Sequence, residues 1–323
     1  MSKKKSFGKI NGREAVVVGI IIAMIALFSI LSPTFRTYTT FTSVLDMSYY
    51  IALMAIGVTF PLITGGVDLS IGTGLICYSL FGGYLVVHKD VPVIVALLAC
   101  LILSILIGLL NGVLVAFMDL PPFLATLCTC MITRGLGSLL SGGFGVSWPS
   151  SLETEGWFRK IFRITVDGQN IPVGIIVVVI LVLLMNFVLN HTKIGRYTIA
   201  IGSNKEATKL AGVNVKFYHV FAYVISGFFA GLAAIAYSGT YVTIYPGSGA
   251  GFELDAIGGA IVGGVSATGG VGSITGAFLG VLVITLMKVG LPFVGLQANW
   301  QQIFTGLVLI AAVLVDVVKK KKN

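Results

Sequence analysis

Two acid-bearing runs break an otherwise apolar chain, and glycine precedes the acids in each: Gly65-Gly66-Val67-Asp68-Leu69-Ser70 and Gly251-Phe252-Glu253-Leu254-Asp255. Asp68 and Ser70 fit N-caps for a helix beginning near Leu69. An ionisable group within a membrane span is also a candidate for function, because its burial is costly. Glu253 and Asp255, two apart, point to different sides of a helix or to one side of an extended segment. They either cap a span starting at about 255, where carboxylates are attracted to a helix N-terminus, or line the external mouth of a pathway.

Three further features carry polar chemistry. Asn111 precedes Gly112 inside an apolar run, so it either ties helices together or faces a pathway. Pro121 and Pro122, beside Asp119, suit the first turn of a helix through Phe123, Leu124, Ala125 and Thr126, where the missing N–H is harmless. Arg134 lies about twelve residues into that helix, too central to reach an interface easily, which predicts a buried partner such as an acid or a carbonyl array. Lys288 is the comparable lysine.

Other chemistry lacks its residues. There is no GxxxxGK[ST] phosphate loop and no HExxH. His88, His191 and His219 fall at span edges and form no zinc or proton-relay set, and no Ser–His–Asp set falls on facing helices. Cys77, Cys100, Cys128 and Cys130 all fall in apolar runs; Cys128 and Cys130 diverge on a helix, so the four are read as buried, reduced thiols. No metal site and no enzyme follows.

The segment His191–Lys216, HTKIGRYTIAIGSNKEATKLAGVNVK, is polar inside this apolar chain. It holds five of the 21 Lys/Arg and one acid, Glu206. Ser203 as N-cap with Glu206 three residues on predicts a capping box, and Gly212 a left-handed helix end. The helix, residues 204–211, is about two turns, roughly 12 Å, too short to persist alone in water. A short capped basic helix between spans fits docking on the cytosolic side.

The elements that must position these groups are membrane helices. The chain is 56% hydrophobic and 10% charged, with a mean hydropathy of +1.01, against about a quarter charged in soluble domains. This is read as an all-α polytopic membrane protein, a single transmembrane domain over residues 1–323. With about 20 apolar residues per span, ten candidates fall near 15–32, 44–64, 70–87, 92–117, 121–142, 171–190, 217–238, 252–267, 271–291 and 301–318, and eight to ten are expected. Broken helices are expected near Gly65–Ser70 and Gly251–Asp255, one in each half, hinting at an internal duplication. The other pairs among the 41 glycines suit close helix packing.

Lys3, Lys4, Lys5, Lys9 and Arg13, the five of 191–216, and Lys319 to Lys322 make fourteen of the 21 basic residues. The positive-inside rule puts both termini and that loop in the cytosol, which requires an even number of crossings. The net charge of +9 then reports topology and contact with anionic lipid rather than nucleic acid. Ser32-Pro33-Thr34-Phe35 replaces a cleavage site, so the first span is read as uncleaved. Residues 143–170, with Trp148, Trp157, Glu153, Glu155 and Asp167, form an external loop with room for a short surface helix.

The run Glu206-Ala207-Thr208-Lys209-Leu210-Ala211-Gly212 resembles the EAA loop of ATP-binding-cassette (ABC) import permeases, with Thr208 in place of the second alanine. Gly195-Arg196-Tyr197, Gly66 to Gly72, Leu120 to Thr126, Arg134-Gly135, Phe252 to Ile257, Gly263-Gly264, Gly269 to Ser273 and Trp300-Gln301-Gln302 resemble the monosaccharide (ribose-type) permeases of that class, over nearly the whole chain. The resemblance implies a bacterial plasma (inner) membrane permease paired with a second copy or a paralogue. It implies two cytosolic ATPase subunits, or one fused tandem ATPase, carrying the ATP and Mg, with no cofactor on this chain. An external binding protein would deliver a small sugar. Ser203, Glu206, Ala207 and Gly212 would belong to the coupling helix, and Asp68, Ser70, Asn111, Phe123, Thr126 and Arg134 are pathway candidates. Glu253 and Asp255 are docking or entry candidates. Alternative cargoes are nucleosides, a sugar-like signal or branched-chain amino acids. The rival of another class is an ion-coupled secondary transporter using Asp68 and Arg134.

Overall fold

The computed structural model describes residues 12–322; Lys3, Lys4, Lys5 and Lys9 lie outside the described residues. The chain runs α1 (Gly12–Leu31), α2 (Tyr38–Ile63), α3 (Ile71–Lys89), α4 (Val93–Ala116), α5 (Pro122–Leu140), α6 (Gly174–His191), α7 (Lys193–Ser203), α8 (Lys205–Leu210), α9 (Val215–Thr240), α10 (Phe252–Val262), α11 (Ile274–Phe293) and α12 (Ala298–Lys322). Two small antiparallel ribbons accompany them. One pairs β1 (Val146–Ser147) with β4 (Thr243–Ile244), the other β2 (Ile164–Val166) with β3 (Gln169–Ile171).

Among the described residues, nine helices are long and apolar enough to cross a membrane. The protein is an all-α polytopic membrane protein. Helices α2, α3, α9 and α11 are mostly buried, whereas α1 and α12 are mostly exposed. Small residues set the α4–α9 crossing: a Cβ on Gly227 of α9 would lie 2.4 Å from the Ser104 carbonyl of α4. Such backbone approach replaces the hydrophobic drive that is missing between helices in lipid.

The remaining candidate span, 252–267, is a half-helix. α10 has 11 residues, about 16 Å long, half of a roughly 30 Å hydrocarbon core. The non-helical segment 241–251 joins it to α9. α9 ends beside the 143–170 loop, where Arg159 donates to the Gly239 carbonyl, and β4 pairs with β1 there. α11 starts on the other face, where the Ser273 hydroxyl donates to Glu14 of α1 at 2.9 Å. Ser266 likewise donates to Asp316 of α12 at 2.8 Å. Glu14 of α1 and Asp316 of α12 therefore both meet the 263–273 link, which the end of α7 also touches at Gly202.

The 143–170 loop is stapled to the opposite face. Its surface helix is a 3-10 turn over Thr154–Ile161. The Trp148 indole is buried against Gly82 and Gly83, and its N–H donates to the Ser79 carbonyl at 3.0 Å. Buried Arg159 donates to the Pro149 carbonyl at 2.6 Å and Gly239 at 3.2 Å. Arg163 is ion-paired with Asp46 of α2. Glu155 accepts from the Val93 N–H that opens α4. The Ser150 N–H, donating to Glu153, holds that carboxyl below its usual range.

Candidate functional site

The polar segment folds as two helices with a one-residue joint. Thr192 caps α7, its hydroxyl accepting from the Gly195 N–H. The expected cap of the second helix moves by one residue. Ser203 is the last residue of α7, and its hydroxyl donates back to the Ile199 carbonyl. Asn204 is extended, and its carboxamide oxygen accepts from the Ala207 N–H at 2.9 Å. The capping box of Ser203 with Glu206 therefore does not form, because the preceding helix consumes the serine. Glu206 sits in the first turn of α8, where a carboxylate is favoured. Gly212 ends the turn at φ +80°, a conformation that side chains resist.

α8 is covered by almost nothing of its own chain. Thr208 is its one buried residue; Lys205, Glu206, Ala207 and Lys209 are exposed, and Leu210 is 89% exposed.

The break between α2 and α3 draws four of the predicted residues together. Asp68 is fully buried. One carboxylate oxygen accepts from the Ser70 N–H at 3.0 Å and the Ser70 hydroxyl at 2.6 Å, the other from the Ser226 hydroxyl at 2.7 Å. The Asn111 amide donates to Ser70 Oγ at 2.9 Å, and its oxygen accepts from Thr129 at 2.7 Å. Thr126 donates to the Pro122 and Val67 carbonyls. Helices α4, α5 and α9 are thus all hydrogen-bonded to one irregular turn, which satisfies backbone and carboxylate inside the protein. Asn111 thus ties α4 to this turn and to α5.

At the start of α10 the two acids diverge. Glu253 accepts from the Gly251 N–H at 3.2 Å. Asp255 is buried and ion-paired with Lys288 of α11. Lys288 also lies 5.9 Å over the Phe252 ring, and its carbonyl accepts from Gln301 of α12 at 2.9 Å.

A family model described as "Branched-chain amino acid transport system / permease component" matches residues 40–313. The ribose import permease of Escherichia coli (strain K12) is 34% identical, covering 98% of this chain and 97% of the relative. The chain belongs to this family of import permeases. The galactose/methyl galactoside import permease of Haemophilus influenzae is 31% identical over 100% of this chain and 99% of its own length. The fructose import permease of Rhizobium meliloti is 31% identical over 93% and 84%. No solved structure matches the chain significantly. The protein is the permease subunit of an ABC importer.

Two candidates of the permease lie apart from its buried cluster. Phe123 and Arg134 are on the exposed side of α5. α5 buries Ala125, Thr126, Thr129, Cys130, Thr133 and Gly137; Arg134 falls just outside that stripe, where its charge acts on the acid Glu253. Cys128 is exposed on the same helix, unlike buried Cys77, Cys100 and Cys130. The partners that sequence reasoning missed are Ser226, Thr129 and Asn204. Asn204 was legible, being as strong a cap residue as serine and one position later. Ser226 carries no local signal, since its contact with Asp68 spans 158 residues.

Proposed function

We propose that this permease carries a monosaccharide, received from an external binding protein, and that α8 docks on a cytosolic ATPase. The observation that carries the docking reading is an α8 fixed by Asn204 and Gly212 yet uncovered, with Leu210 89% exposed. Large exposed apolar groups amid charges mark protein contacts. In this reading the α8 face is cytosolic, with both termini on it, as the distribution of Lys and Arg supports. ATP and Mg belong to the ATPases, two subunits or one fused tandem chain. The ribose, galactose and fructose relatives, matched over most of their length, favour a sugar; the family model's description keeps branched-chain amino acids as the second reading.

A second copy or paralogue would face α5, making Phe123 and Arg134 the pathway wall. Asp68, Ser70, Asn111 and Thr126 would hold the broken turn behind that wall. Glu253 and Asp255, reached from the outer side by the segment 241–251, would lie at the inner end of the entry path.

The test is mild-detergent purification of the tagged chain from its native membrane, with mass spectrometry of what accompanies it. A stoichiometric P-loop ATPase is expected, and a co-purifying binding protein identifies the cargo class. A chain that comes out alone, with uptake insensitive to ATP depletion, would overturn the reading.

A further inference from the structure

Three backbones meet with no side chain between them where α7 ends. A Cβ on Gly202 would lie 1.7 Å from the Ile63 carbonyl oxygen and 2.5 Å from Gly270 N. Ile63 is the last residue of α2, and Gly270 belongs to the 263–273 link between α10 and α11. The Gly270 N–H donates to that same Ile63 carbonyl at 2.8 Å. Beside it, a Cβ on Gly270 would sit 2.9 Å from Ser203 Oγ, and one on Gly269 would sit 3.0 Å from Gly65 N. Main chain against main chain has no rotamers with which to absorb a displacement, so a shift on one side is passed to the other.

We propose that the Gly202–Ile63–Gly270 junction is the joint through which movement of α8 reaches both helix breaks of the permease. This rests on the reading of α8 as the ATPase contact. Only Ser203 and Asn204 separate Gly202 from α8. On one side of the joint, Ile63 leads within five residues to Asp68 and the cluster that holds the start of α3. On the other, the link leads back through α10 to Glu253, which packs on Gly72, the second residue of α3. The two routes close a ring: one end is the joint, the other is Gly72 against Glu253. Ser273 with Glu14 and Ser266 with Asp316 tie the link to α1 and α12, so the push is delivered against anchored helices. Gly202 is a positioning residue, acting on the pathway only through its neighbours.

The test uses the full transporter, with its ATPase and binding protein, in liposomes. Uptake of ribose, galactose or fructose, whichever the wild type carries, is measured with ATP hydrolysis in the same vesicles. Gly202→Ala is expected to keep the ATPase bound and hydrolysing while sugar moved per ATP falls at least tenfold. A merely destabilised protein would lose assembled complex, uptake and hydrolysis in proportion. Gly270→Asn is the second wedge: asparagine tolerates the φ of +80° found there, while its side chain must displace Ser203. An assembled variant of either kind with unchanged sugar per ATP would overturn the joint. Failure of both variants to assemble would overturn it too, by making the contact a folding requirement. Absence of ATPase from the wild-type complex would instead sink the docking reading on which the joint rests.

Discussion

The Glu253 carboxylate is seated on Gly72: a Cβ at Gly72 would lie 2.1 Å from Glu253 Oε2 and 2.7 Å from its backbone nitrogen. The starts of α3 and α10, 181 residues apart in sequence, are thereby held face to face. The oxygen that meets Gly72 is buried and makes no hydrogen bond among the described residues, so the contact is one of close packing. Gly72→Ala is expected to push the two starts apart, costing about 1–3 kcal/mol as overpacking does. Uptake should fall more than the amount of folded protein, as measured by transport against thermal unfolding in detergent. Wild-type uptake in this variant would show that the contact is incidental.

Asp255 and Lys288 form a buried pair, and such pairs are more costly to break than to replace. Lys288→Met alone is expected to destabilise by about 3–5 kcal/mol. The double variant Asp255→Leu with Lys288→Met should recover most of that stability, since no unpaired charge remains. Thermal unfolding of the single and double variants, compared as a cycle, checks both outcomes. A double variant no better than the single would mean that the pair is held by something beyond mutual neutralisation.

The Asp68 cluster predicts graded losses. Ser226→Ala removes one hydrogen bond to a carboxylate, worth about 1.5–3 kcal/mol. Asn111→Leu removes the hydrogen bonds that tie α4 to Ser70 and to Thr129 and should cost a similar amount or more. Phe123→Ala, on the exposed side of α5, should stay within about 0.5 kcal/mol. Denaturation of the purified permease ranks the three. Equal effects at all of them would contradict the enclosed geometry.

At α8 two changes separate folding from docking. Asn204→Ala removes the cap and should cost the small helix about 1 kcal/mol, loosening ATPase binding modestly. Leu210→Asp changes a side chain that is 89% exposed, charging the apolar surface, and should weaken ATPase co-purification about tenfold or more. Quantitative pull-down from detergent reads both. Full ATPase recovery with Leu210→Asp would move the contact elsewhere.

Helix number, the two glycine-led breaks and the segment bearing α8 were legible because each is a local property: apolar length, a backbone-permissive glycine, a cap. Where local signals competed, the wrong one was chosen. Ser203 and Asn204 are both good caps, and only the existence of α7 decides between them. The 252–267 run has the composition of a span, but Gly263, Gly264 and the close approach of the link to α2 stop the helix at Val262. The partners of Asp68 and Lys288 were not legible at all, because they arise from helix packing across 158 and 33 residues. For Arg134 a buried partner was expected from its depth in the helix alone; which side of α5 it faces is set by packing against α3 and α4.

Trp148, Arg159, Arg163 and Glu155 fasten the loop on the face opposite α8 at separate points. A platform fastened in this way has already lost its conformational freedom during folding, so a protein landing on it would not bear that entropy again. Contact there can then be brief and still specific, as suits a carrier that must arrive, discharge and leave in every cycle.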